Sequence, residues 1–119
     1  MATPNIVNVA TINAKNPTGA VTTSRATAVD VSADKVSKIN TILICNIDGS
    51  NAANITVEVS VDNGSNYVAI GSTISVPADA TLSFLDSPIY LDETDLLAVT
   101  ASANSDLTYF ISYEELDDA

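Results

Sequence analysis

Residues 54 to 62 alternate between apolar and polar: Ile55, Val57, Val59 and Val61 fall on one side of an extended chain, and Thr56, Glu58, Ser60 and Asp62 on the other. A helix would scatter four β-branched residues around its circumference, whereas a strand sets them in one row against a core. The stretch therefore predicts a strand with one packed and one wet face. Asp62-Asn63-Gly64-Ser65-Asn66 closes it, since an Asn-Gly pair tolerates the positive φ angles of a tight hairpin, and Tyr67-Val68-Ala69-Ile70 resumes apolar character. The centre of the chain is predicted to be a β-hairpin.

The same pattern repeats to either side. Residues 5 to 14 read as a first strand, and Asn16-Pro17-Thr18-Gly19 as a turn that ends it. Between 20 and 32, Ala26, Ala28 and Asp30 alternate with Thr27, Val29 and Val31, which suggests an edge strand; Ser32-Ala33-Asp34-Lys35 is a turn. Residues 38 to 47 are apolar at successive central positions, Ile42, Leu43 and Ile44, the mark of a strand covered on both faces, by its own core and by a loop or a neighbouring subunit. Further strands are predicted at Ser72-Val76, ended by Pro77, which has no N–H to donate, and at Thr81-Leu85, Ile89-Leu91 and Leu96-Ala101. The last carries Leu107, Tyr109, Ile111 and Tyr113 on one face, and residues 114 to 119 read as a frayed acidic tail. Eight or nine short strands, turn signals about every ten residues and no amphipathic helix predict an all-β, single-domain antiparallel β-sandwich, jelly-roll-like or immunoglobulin-like, in preference to a closed barrel. The expected layout is an N-terminal strand or arm at 1–18, the sandwich at 19–113 and the tail at 114–119.

A chain of 119 residues can fold as one domain without staples. The single Cys45 permits no internal disulfide, and its apolar neighbours predict an inert buried thiol. There is no histidine. That excludes cysteine-histidine chemistry, the Ser-His-Asp triad, histidine-containing zinc sites and an imidazole pH switch together.

Charge is the most unusual bulk property. The net charge is −11; the four cations are Lys15, Arg25, Lys35 and Lys38, and thirteen carboxylates follow Lys38 with no cation among them. Such a surface repels phosphate and anionic membranes, so neither nucleic acid nor a membrane is an expected partner. It suits solubility in a salty medium, where screening acts over about 8 to 10 Å, or a basic partner or bound divalent cations. The N-terminus lacks the cationic and apolar blocks of a signal peptide, which leads to the expectation that the chain is made in a cytoplasm.

Three acidic groups could hold a hard cation through oxygen: Asp48 with Asn51, Asp62 with Asn63 and Asn66, and Asp92 with Glu93 and Asp95. None matches a twelve-residue calcium loop, and Asx residues are ordinary turn chemistry, so no metal or other cofactor is assigned. Acids at turns without a tryptophan platform argue against a glycosidase. The aromatics read as core and sheet-face pairs, with Tyr109 and Tyr113 the candidates for an intersubunit contact. The doubly apolar strand exposes more apolar surface than one small sandwich covers, which predicts a trimer or another symmetric oligomer.

Residues 46 to 115 carry a run of phrases that names a family: Asn46-Ile47-Asp48-Gly49, Ala53-Asn54-Ile55-Thr56-Val57, Ile74 to Leu82, Pro88-Ile89-Tyr90-Leu91-Asp92-Glu93, Val99 to Leu107, and Ser112-Tyr113-Glu114-Glu115. In these the chain resembles small virion structural proteins of tailed bacteriophages, notably phages of marine and freshwater bacteria including cyanobacteria. The resemblance covers about the C-terminal 70 residues well and the first 37 poorly. It implies a non-enzymatic β-sandwich component of the virion, in the first place a decoration or cement protein on the capsid, with a neck, tail or fibre-attachment component or a host-surface carbohydrate-binding module as alternatives. The partner it implies is the major capsid protein or another virion protein. No catalytic residues come with it, and the cations Lys15, Arg25, Lys35 and Lys38 are the expected attachment residues, since all four lie together at one end of the chain, within the first 38 residues.

Overall fold

The computed structural model describes residues 9 to 118, with side chains from 10 to 117; the expected strand start at residues 5 to 8 lies outside them. Ten strands follow in order: β1 (Val9–Lys15), β2 (Thr18–Val21), β3 (Ala26–Asp30), β4 (Lys35–Asn46), β5 (Ala53–Ser60), β6 (Val68–Val76), β7 (Thr81–Ser83), β8 (Ile89–Leu91), β9 (Leu96–Ala101) and β10 (Leu107–Asp118). They form two antiparallel sheets. Sheet A runs β1-β10-β4-β7, with β2 also on β10 and β8 also on β4; sheet B runs β3-β9-β5-β6.

Lys15 pairs with Tyr113 and Thr18 with Phe110, so β1 and β2 lie in one register along β10 and act as a single strand broken at Asn16-Pro17. β7 and β8 likewise share one edge of β4. Counted this way there are eight strands, ordered 1-8-3-6 in sheet A and 2-7-4-5 in sheet B. This is the jelly-roll order, and it decides between the two sandwiches that the sequence left open. The pairs Val59 with Val68, Ile39 with Ile89, Ala26 with Val99 and Lys15 with Tyr113 are all centred close to Asn63 and Gly64. The chain is one long hairpin, rolled up.

Period-two alternation builds the core. Ile55 and Val57 of β5, Leu97 and Val99 of β9, Ile42 and Ile44 of β4, and Leu107 and Ile111 of β10 are at most 1% exposed and form one cluster between the sheets. Each such side chain contributes roughly 1.5–3 kcal/mol by leaving water. The break between β7 and β8 drops Phe84 inward against this cluster, where its ring lies on Gly71 of β6; a methyl at Gly71 would collide with the ring.

Several expectations change. The segment 114–118 is not a frayed tail: Glu114, Glu115, Leu116 and Asp117 pair with β4 on one side and with β1 on the other. Its acids tolerate this position because Lys35 sits across the ladder, with Nζ 3.3 Å from Glu115 Oε1 and 3.2 Å from Asp117 Oδ2. Asn16 to Gly19 do not turn, since Thr18 and Gly19 continue the same ladder after Pro17. The central hairpin closes with a loop over residues 61–67, longer than a tight turn. Asp62 organises this loop by accepting from Ser60 Oγ, Asn66 N and Asn66 Nδ2, while Asn63 and Gly64 take φ of 59° and 90°. Val61, expected in the core row, is 72% exposed because β5 has already ended.

Every sheet edge is interrupted: β1/β2 at Pro17, β3 by a bulge between Thr27 and Val29, β6 by Thr73 at φ 55°, and β7/β8 by residues 84–88. Interrupted edges resist strand-by-strand addition of another chain. Contact with another protein is thereby directed to the sheet faces.

Candidate interaction surface

In β10, Leu107, Tyr109, Ile111 and Tyr113 point inward, so Thr108, Phe110, Ser112, Glu114 and Leu116 lie on the outer face of sheet A. Their partners on β4 are Cys45, Leu43, Thr41, Lys38 and Val36. Thr18, Ala20, Ile12 and Ala14 flank them on β1/β2, and Thr81, Ser83 and Tyr90 on β7/β8. Of these strand residues between 10 and 117, Lys38 and Glu114 alone are charged. In a chain of net charge −11 this is one neutral face, and it is apolar in two places. At one end Ile12, 56% exposed, stands beside Leu116 and Val36; toward the other, Phe110, 39% exposed, stands beside Leu43 and Cys45, which with Thr18, Thr81 and Thr108 line an open groove of about 530 Å³.

On the outer face of sheet B, one long side chain lies across the strands. Arg25 donates from Nε and Nη2 to Glu58 at 2.9 and 3.0 Å, and its guanidinium lies 4.1 Å over the ring of Tyr67. The paired carboxylate holds the Arg25 pKa above its ordinary value. Glu58 stands opposite Ala98 on β9, which is fully buried although it lies outside the core cluster.

The predicted site residues are therefore dispersed. Arg25 is engaged in this latch and Lys35 in its pair of carboxylates, which raise its pKa. Lys15 and Lys38 have no ion-pair partner among the described residues. Tyr109 and Tyr113 turn inward and pack against the core, Tyr109 with its ring beside Gly19 and Tyr113 with its pKa raised by burial and then by Glu115. The side chain of that strand that reaches the surface is Phe110, on the opposite parity. The doubly apolar run Ile42-Leu43-Ile44 was the sequence signal for this face: Ile42 and Ile44 fill the core, and Leu43 lies outside. Cys45, expected in the core, lies beside it and is half-buried.

The acidic groups are occupied by turn geometry. Asp48 Oδ1 accepts from Ser50 N at 2.8 Å, Asp95 Oδ2 from Asp92 N at 2.9 Å, Asp92 Oδ1 from Glu93 N at 2.8 Å and Glu93 Oε2 from Asp34 N at 2.8 Å. Hydrogen bonds from Ser50 and Asn66 hold Asp48 and Asp62 respectively below the usual carboxylate range, while burial pushes Asp95 up. Among the described residues no three ligating side chains converge as a metal site. A second apolar groove, about 380 Å³, opens where β6 meets β8 and is lined by Val61, Val68, Ile70 and Tyr90 among others.

No family model matches the chain, and no curated protein matches it either. Among solved structures it is similar to the Drosophila NLP core, described with its pentamer formation and histone binding, at 15% identity over 87% of this chain and 96% of that one, with a TM-score of 0.47. It is also similar to a Bacillus endospore appendage protein, from a family of disulfide-linked pili, at 11% identity over 92% and 88% of the two chains, with a TM-score of 0.46. A third is a pentameric capsid protein from metagenomic phage sequences, at 12% identity; the similarity spans 86% of this chain and 62% of that one, with a TM-score of 0.41.

Proposed function

We propose that this chain is a non-enzymatic structural component of a tailed-phage particle, in the first place a decoration or cement protein on the head. The observation that carries the reading is the neutral, partly apolar outer face of sheet A on a molecule of net charge −11 whose sheet edges are all interrupted. Such a molecule is built to meet other proteins through a face. Its acids serve turns, and its sequence offers no histidine for acid-base or nucleophilic work. The jelly roll recurs in viral capsid domains, which supports the reading by fold-level analogy. The phrases of residues 46 to 115 add the resemblance to phage structural proteins.

Attachment to the shell is assigned to the N-terminal end, where residues 1–8 precede β1 and Lys15 closes it. Because β1 is itself a sheet strand, the deletion that tests this stops at residue 8. The protein should copurify with heads, not with detached tails, after the particle is disrupted; recovery with tails would transfer the reading to a neck or tail component. Removing residues 2–8 should abolish decoration while leaving the circular dichroism spectrum unchanged. Undiminished occupancy would place attachment elsewhere on the sandwich.

A further inference from the structure

We infer that two copies of this chain pack sheet A against sheet A about a twofold axis running along the seam between β4 and β10. Five directly opposed pairs straddle that seam on the outer face; besides Thr41 with Ser112 and Cys45 with Thr108 they are Lys38 with Glu114, Leu43 with Phe110, and Val36 with Leu116, of which Val36 is itself only 5% exposed. A twofold axis along the seam exchanges the members of each pair. It lays Lys38 of one copy on Glu114 of the other, and Phe110 on Leu43. The face thus sets opposite charges on one another and an apolar side chain on an apolar one, as an isologous contact requires.

Lys38 and Glu114 are opposed across the ladder, yet they form no ion pair with one another; Glu114 accepts instead from Asn40 Nδ2 at 3.1 Å. Both charges remain available to a facing copy. Electrostatics restricts where two copies can meet, because each carries −11 and only a surface free of surplus carboxylates avoids like-charge repulsion. The size is sufficient. β4 and β10 are 12 residues each, which at ~3.3 Å per residue is ~40 Å, and four strands at ~4.8 Å spacing are ~19 Å across. The resulting ~750 Å² of sheet is close to the ~800 Å² that each partner gives to a standard interface. A trimer would need two different patches meeting head to tail, and this face supplies one patch that matches itself.

The inference draws on the same face as the virion reading but is tested apart from it: copurification tests that one, sedimentation tests this one. The wild-type protein should sediment as a dimer at micromolar concentration. Lys38→Glu alone sets Glu on Glu across the axis, Glu114→Lys alone sets Lys on Lys, and each should be monomeric with an unchanged circular dichroism spectrum. An equimolar mixture of the two variants restores both opposite-charge contacts, as does the doubly exchanged protein, and both should recover the dimer. Phe110→Ser should weaken association at least tenfold. A wild-type monomer or trimer, a dimer that survives the single charge reversals, or a mixture that stays monomeric would each overturn the inference.

Discussion

The contact between Gly71 and Phe84 makes the sign of one substitution a test of the core. Gly71 is a buried residue of β6 whose φ lies outside the left-handed region, so by backbone preference alone Gly71→Ala should stabilise the strand by about 0.5–1 kcal/mol. The structure predicts the reverse. The added methyl would overlap the Phe84 ring and lie 3.0 Å from Ile74 Cδ1, and overpacking of this kind costs about 1–3 kcal/mol. Swinging the Phe84 ring out would withdraw it from the core cluster it packs against, while its backbone stays anchored by donating to Ile42 O at 2.9 Å. The net loss should be about 0.5–2 kcal/mol. For a chain of 119 residues the unfolding entropy is about 0.25 kcal/mol/K, so Tm should fall by roughly 2–8 °C. Phe84→Leu removes the ring atoms that collide, and the double variant should be more stable than the sum of the two single losses by about 1 kcal/mol. Urea unfolding of the four proteins measures this cycle. A Gly71→Ala protein as stable as wild type, or a cycle that is additive, would refute the packing assigned to the β7–β8 break.

Thr94 holds a left-handed φ of 67° that β-branched residues rarely adopt, with its N–H donating to Val31 O at 2.8 Å; Thr94→Asn should raise Tm by about 2–4 °C, equivalent to about 0.5–1 kcal/mol, and a fall would show that the threonine side chain is needed there. Burial raises the Asp95 pKa above its unfolded value near 3.9, so the folded state holds that proton more tightly and stability declines as pH rises from about 4 through the folded pKa. Asp95→Asn keeps an acceptor for Asp92 N and should be more stable than wild type at pH 7 but not at pH 3; an equal difference at both pH values would remove the assignment. Arg25→Lys keeps the charge but loses the two-pronged contact with Glu58 and the stack on Tyr67, so amides 63–67 should exchange faster, and unchanged protection would mean the latch does not hold the hairpin loop.

What the sequence determined by itself was local. Alternation at Ile55, Val57 and Val59 specified a strand and its buried face because side chains on a pleated chain point to opposite sides at every step. Asn63-Gly64 specified where the chain reverses because those two residues accept positive φ, and that reversal proved to be the tip about which the whole chain is rolled. The missing histidine and the segregated cations also bounded the chemistry without any coordinates. What the tertiary structure decided was non-local. The pairing of β10 with β4 and with β1/β2 joins residues far apart in the chain, and no period within either segment encodes its partner. That pairing turned residues 114–118 from an expected tail into a strand, sent Tyr109 and Tyr113 inward, and left Phe110 on the surface. It also set Lys38 opposite Glu114. Whether two residues face one another across a sheet is fixed by register, and register is set only when both strands have buried their apolar rows against the same core.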